Sequence, residues 1–159
     1  MRTKAFLAIL TCALLLSGCQ RSEQKTERPS NNIEPTVSGE KIAIEKDLLS
    51  SDARFVNYTT NEITIQLIAG IASDDTYRVS LNTCQSCNPS PLAYFTYEDG
   101  ILTCQNCGNN FTMDDVGIQA SGCNPMNVDY IETDEQIMVD TALLEKYSKL
   151  FEKWQDSEE

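Results

Sequence analysis

Sulfur is the element through which this chain can do chemistry. Cys84-Gln85-Ser86-Cys87 and Cys104-Gln105-Asn106-Cys107 form a C-x2-C-x16-C-x2-C array, the spacing of ribbon-type tetrathiolate metal sites. Two residues between cysteines let both sulfurs of one tight turn face one ion, and a hairpin supplies the second turn opposite. Past the second cysteine of a metal knuckle the chain reverses, often through a left-handed conformation. Asn88 and Gly108 stand at those two places, and Asn and Gly enter that conformation most cheaply. Amides turned toward the sulfurs there would spread the thiolate charge. A tetrahedral ion about 2.3 Å from each sulfur requires Cys84, Cys87, Cys104 and Cys107 to gather within about 4 Å of one another. Cys123, in Ser121-Gly122-Cys123-Asn124-Pro125, is open to four readings: a fifth ligand, a replacement for one of the four, a redox-active thiol beside them, or a free structural cysteine.

Two other uses of the same sulfurs compete with metal. Export would favour structural disulfides, although the odd cysteine count of the mature domain and the duplicated knuckle argue against them. Dithiol exchange by a C-x-x-C pair favours a helix start, where the thiolate is stabilised, and neither pair precedes a convincing helix. Histidine is absent from all 159 residues. That removes the commonest general base, histidine-dependent triads and every histidine-containing metal site. No phosphate-cradling glycine loop or convincing carboxylate pair appears, Asp114-Asp115 reads as a solvated turn, and Trp154 and the tyrosines read as packing. The chain therefore reads as a redox or metal carrier rather than a catalyst.

The elements that must position the cysteines are strands. Arg54 to Thr59 and Glu62 to Ile68 are β-rich runs around a Thr60-Asn61 turn. Ile63, Ile65 and Leu67 alternate with Glu62, Thr64 and Gln66, and Tyr77, Val79 and Leu81 follow the same period. This pattern predicts an antiparallel sheet with one wet side. Leu92 to Tyr97 and Ile101 to Thr103, joined by Glu98-Asp99-Gly100, predict the hairpin that brings the two cysteine pairs together. Thr133 with Gln136 reads as a capping box, and Ile137, Leu144, Tyr147, Leu150, Phe151 and Trp154 predict an amphipathic helix over 134–153 that packs on its own sheet. The expected fold is mainly β (α+β): a small antiparallel sheet with a metal-knuckle hairpin and a C-terminal amphipathic helix. The expected division is a signal over 1–18, a flexible tether over 19–40, a β-rich cysteine domain over 41–131, and the helix with an acidic tail over 132–159.

The start of the chain reads as an address. Arg2 and Lys4 precede an apolar run from Ala5 to Leu16, too short to span a bilayer comfortably. Leu15-Leu16-Ser17-Gly18-Cys19 resembles a bacterial lipobox, which implies cleavage before Cys19 and its lipidation by several acyl chains of the palmitate kind. Such chains would hold the protein on the extracytoplasmic face of a bacterial membrane. The polar segment from Gln20 to Gly39, broken by Pro29 and Pro35, reads as the tether. Loss of Arg2 and Lys4 with the signal leaves 10 basic against 24 acidic side chains, formally −14. Such a surface is repelled by phosphate, which argues against nucleic acid as a partner.

The ordered trio of C-x-x-C at Cys84 to Cys87, C-x-x-C-G at Cys104 to Gly108 and G-C-N-P at Gly122 to Pro125 resembles the FtrD-like membrane iron–sulfur protein family, over roughly 53–128. The resemblance implies an iron or iron–sulfur centre, electron transfer, and association with ferrous-iron uptake systems built around an iron permease. It also implies Cys84, Cys87, Cys104, Cys107 and Cys123 as the metal and redox residues. Met1-Arg2-Thr3-Lys4 holds no twin-arginine pair, so metal would be collected outside the cytoplasm. The expected function is that of a lipid-anchored metal-thiolate accessory of a membrane iron transport system. The alternatives are a structural zinc-ribbon-like binding module and a disulfide-stapled lipoprotein, since spacing alone does not distinguish iron from zinc.

Overall fold

The computed structural model describes residues 31–119 and 122–155. The expected signal, the lipobox with Cys19 and the first part of the tether lie outside them. The described residues form twelve strands: β1 (Asn32–Ile33), β2 (Thr36–Ser38), β3 (Lys41–Glu45), β4 (Arg54–Thr60), β5 (Ile63–Ile71), β6 (Tyr77–Cys84), β7 (Phe95–Glu98), β8 (Ile101–Cys104), β9 (Asn110–Phe111), β10 (Pro125–Asn127), β11 (Ile131–Glu132) and β12 (Gln136–Asp140). They form a central sheet in the order β1-β4-β5-β6-β10, a second sheet β11-β12-β3-β2, and a three-stranded sheet β7-β8-β9 that carries the second cysteine pair. All pairings are antiparallel except that of β1 with β4. The mainly β reading with a short C-terminal helix holds.

Local sequence explains the hairpins. Between β4 and β5, Asn61 and Glu62 both have positive φ (49° and 67°), and Thr60 pairs with Ile63. The turn is one residue later than expected. Thr60 is β-branched and resists positive φ, so it stays in the strand while Asn61 opens the primed turn. Asp99 and Gly100 make the corresponding turn between β7 and β8, at φ 48° and 86°, where the sequence placed it.

The central sheet is covered on both faces, which corrects the expectation of one wet side. Val56, Ile65, Leu67, Val79 and Leu81 face a cluster completed by Ile42, Ile44, Ile137, Val139, Leu144, Phe151 and Trp154. On the opposite face, Phe55, Ile68 and Cys84 pack with Phe95, Leu102, Cys104, Met113 and Val116. The polar members of that second face do not need water. Gln66 is 2% exposed because its Nε2 donates to Asn57 Oδ1 at 2.8 Å and its Oε1 accepts from Asn82 Nδ2 at 2.7 Å. Buried amides that satisfy one another remain compatible with a closed interface.

The C-terminal segment is partly strand. Ile137 and Val139 alternate toward the core in β12, which pairs with β3 from Gln136↔Glu45 to Asp140↔Lys41. Thr133 and Gln136 do not cap a helix. They close the β11–β12 turn, with Thr133 N donating to Gln136 O at 2.8 Å and Gln136 N to Thr133 Oγ1 at 3.0 Å. The helix α1 (Thr141–Tyr147) starts seven residues later than predicted. Asp140 caps it, its side chain accepting from the amides of Ala142 and Leu143. A 3-10 turn (Ser148–Leu150) and α2 (Glu152–Gln155) follow, and Leu144, Phe151 and Trp154 lie against the central sheet. At the other end, Asn32–Ile33 and Thr36–Ser38 of the expected tether are strands. β1 extends the central sheet and β2 pairs with β3, because Ile33 has the core to pack against.

β6 and β10 are neighbours in the central sheet, so everything from Gln85 to Asn124 is an excursion that leaves and returns at one edge. Its base is tied by Gln85 N donating to Asn124 O at 3.1 Å and by the pairing of Pro125 with Cys84. The cysteine-bearing hairpin lies within this excursion.

Candidate metal centre

Cys84 ends β6 and Cys104 ends β8. After each, the chain closes the same turn: Asn88 N donates to Cys84 O at 3.0 Å and Gly108 N to Cys104 O at 2.8 Å. Gly108 sits at φ 74°, as the knuckle reading requires. Asn88 does not have positive φ, which corrects that expectation. The following Pro89 restricts the backbone of the residue before it, and the Asn88–Pro89 bond is cis. The Asn88 side chain instead donates to Thr83 Oγ1 at 3.1 Å and Leu150 O at 2.8 Å, tying the knuckle to the C-terminal segment.

Polar contacts hold the two knuckles side by side. Cys84 N donates to Ala93 O at 2.7 Å, Gln105 N to Tyr94 O at 2.8 Å, and Ser90 Oγ to Asn106 Oδ1 at 2.7 Å. Beneath them, Asn82 is fully buried and takes the place of a strand neighbour for Phe95. Its Oδ1 accepts from Phe95 N at 2.8 Å while its Nδ2 reaches Phe95 O at 3.1 Å. Asn82 lies two residues before Cys84, and Phe95 pairs with Cys104, so one side chain sets the distance between the strands carrying the two buried cysteines. Sequence reading passed over Asn82. The available signal was a polar residue on an otherwise packed strand, in step with a cysteine.

The five cysteines meet. Their sulfurs all lie within 4.8 Å of one another, with Cys87 and Cys104 at 3.8 Å, Cys84 and Cys123 at 3.3 Å, and Cys107 and Cys123 at 2.9 Å. All five are free thiols. Cys84 and Cys104 are buried, Cys87 and Cys123 half-buried, and Cys107 exposed. Burial pushes the Cys104 thiol up to about 12 against the pull of the Cys107 and Asn106 amides. Burial also raises Cys87 and Cys123, each further raised by neighbouring thiols. At Cys107 burial acts in the same sense but is outweighed by hydrogen bonds from Cys123, the Asn109 amide, Cys104 and Cys87, and its value falls to about 7.

This donor set fits a thiolate-bound metal. It is all sulfur, soft and convergent, and it is protected on the sheet side and accessible at Cys107. A tetrahedral ion with bonds of about 2.3 Å sets neighbouring sulfurs about 3.8 Å apart, the separation between Cys87 and Cys104. Thiols held protonated by burial would give up protons when an ion displaces them, so affinity would fall with pH.

Among the described residues no helix is long and apolar enough to cross a membrane. No curated protein and no solved structure matches the chain. A protein-family model, described as "Membrane iron-sulfur containing protein FtrD-like", matches residues 48–151. That span holds the central strands β5 and β6, the whole excursion and all five clustered cysteines, and the chain belongs to this FtrD-like family.

Proposed function

We propose that this protein is a lipid-anchored, extracytoplasmic iron-thiolate carrier that serves a membrane iron transport system as an electron-transfer or metal-handling accessory. The observation that carries the reading is the convergence of five thiols within 4.8 Å in a member of a membrane iron–sulfur family. The C-x-x-C pairs supply four thiolates to the ion. Asn82, Ser90 and Asn106 hold the knuckles in register, and burial of Cys84 and Cys104 keeps water from the inner side. When bound, iron supplies one-electron redox chemistry whose potential is tuned by burial and by hydrogen bonds to sulfur. The lipobox at Cys19 and the polar segment after it would let the domain reach a membrane partner such as an iron permease.

The closeness of the sulfurs favours a single ion, because a cluster places several irons and sulfides between its thiolates. A single ion keeps zinc, as a structural element, as the second reading. Elemental analysis with an ultraviolet–visible spectrum, on the full chain purified without oxygen and reconstituted with iron or zinc, separates the two. Stoichiometric iron with thiolate charge-transfer bands that change on oxidation and disappear in Cys104→Ser is the expected result. Colourless stoichiometric zinc in preference to iron would establish the structural module. No metal, with cysteines oxidised in pairs, would overturn both.

A further inference from the structure

Five sulfurs exceed the four that a tetrahedral ion takes, and distance sorts them. Cys87 and Cys104, 3.8 Å apart, match the edge of about 3.8 Å between two ligands of one ion. Cys123 lies 2.9 Å from Cys107 and 3.3 Å from Cys84, both shorter than that edge. It cannot occupy a corner of its own while those two keep theirs. Cys123 also arrives on a third segment, after Gly122 at φ 101°, whereas the other four belong to the two closed knuckles. The pair it forms with Cys107 lies at the accessible rim of the site: Cys107 is exposed and Cys123 half-buried, while Cys84 and Cys104 are buried. Two thiols in contact, one of them open to a partner, are the components of a dithiol–disulfide couple.

Resting on the thiolate-metal reading above, we propose that Cys107 and Cys123 form a redox dithiol that opens the metal site when a partner disulfide oxidises it. The Cys107 thiolate attacks one sulfur of the incoming disulfide, breaking its S–S bond, forming a mixed disulfide and expelling one partner thiolate. Cys123 then attacks Cys107 Sγ, forming the Cys107–Cys123 bond and expelling the second thiolate, which takes up the Cys123 proton. Two electrons pass from the two cysteines to the partner, whose disulfide leaves as one thiolate and one thiol, the thiolate taking its proton from water. Cys84, Cys87 and Cys104 alone would then remain to hold an ion, one thiolate fewer than the reduced knuckles offer, and its affinity would fall. A partner dithiol runs the steps backward and restores the site.

The test uses the full chain, reduced without oxygen and loaded with zinc, so that every electron counted comes from sulfur. Oxidised glutathione is added, zinc release is followed with a chelating dye, and disulfides are located by peptide mass spectrometry. The expected result is a Cys107–Cys123 disulfide formed first, in step with one ion released per chain. Cys123→Ser and Cys123→Ala should both hold one zinc before oxidation and, under the same oxidant, stop at a Cys107–glutathione mixed disulfide. Agreement between the two variants excludes a packing effect of either replacement. A first disulfide within a C-x-x-C pair, or variants that carry no glutathione on Cys107 or fail to hold zinc, would overturn the proposal. If the reduced parent binds no metal, the thiolate-metal reading fails instead. The disulfide map of that sample still decides whether Cys107 and Cys123 form the couple.

Discussion

Cys107 and Cys104 belong to the same knuckle but differ sharply in acidity. Burial holds Cys104 near 12 while donors around Cys107 bring it to about 7, below the 9.0 of a free thiol. In the metal-free protein at pH 8, iodoacetamide should therefore modify Cys107 first. Its rate should fall about tenfold per unit as pH drops below about 7, because the thiolate is the nucleophile, and peptide mass spectrometry at a series of pH values measures this. The sign for stability follows from the lowered value: the contribution of ionised Cys107 is present above pH 9 and lost as pH falls through about 7. The candidate ligands were legible because a chain without histidine leaves metal chemistry to sulfur and carboxylate, and the C-x-x-C spacing carries its own geometry. Asn88 was misread because the residue after it, Pro89, has more influence over its backbone than its own tolerance of positive φ.

At the scale of elements, the site depends on strands that do not themselves carry ligands. Asn82→Ala would strand Gln66 Oε1 and the backbone N–H and C=O of Phe95 in a buried interface. A loss of about 3 kcal/mol is expected, measured by urea unfolding of the reduced protein, together with weaker metal binding as the knuckles drift apart. Asp140→Ala removes the acceptor for the Ala142 and Leu143 amides and should cost about 1 kcal/mol in the same assay without changing metal stoichiometry. Hairpins were legible where turn chemistry is explicit, as at Asp99-Gly100. The stretch from Thr133 to Asp140 was not, because Thr-x-x-Gln closes a hairpin turn as readily as it caps a helix. Pairing with β3, a partner more than ninety residues away in the sequence, decided between them. The wet side expected for the central sheet failed for a related reason: Gln66 and Asn82 look solvated in isolation and are satisfied by each other and by Asn57 and Phe95, partners the sequence pattern does not reveal.

For the whole molecule, the formal charge of −12 sets the protein against an anionic membrane surface, so electrostatics would not hold it there, whereas the lipid proposed on Cys19 would. Cys19→Ser should accordingly move the protein from the membrane fraction of the producing cells into soluble extracytoplasmic extract, followed by immunoblot. Retention of the variant on membranes would place the anchor elsewhere.

The tie at the base of the excursion, where Gln85 meets Asn124, has a thermodynamic consequence. Cys84 and Cys123 are 39 residues apart in sequence, and bringing such a loop's ends together costs on the order of 3 kcal/mol of chain entropy. The pairing of β6 with β10 imposes that loss through backbone hydrogen bonds that do not involve the sulfurs, so capture and folding should be largely uncoupled. A chelator should then strip the metal and leave amide hydrogen exchange in β4, β5 and β6 almost unchanged, where a protein folded by its metal would lose protection throughout.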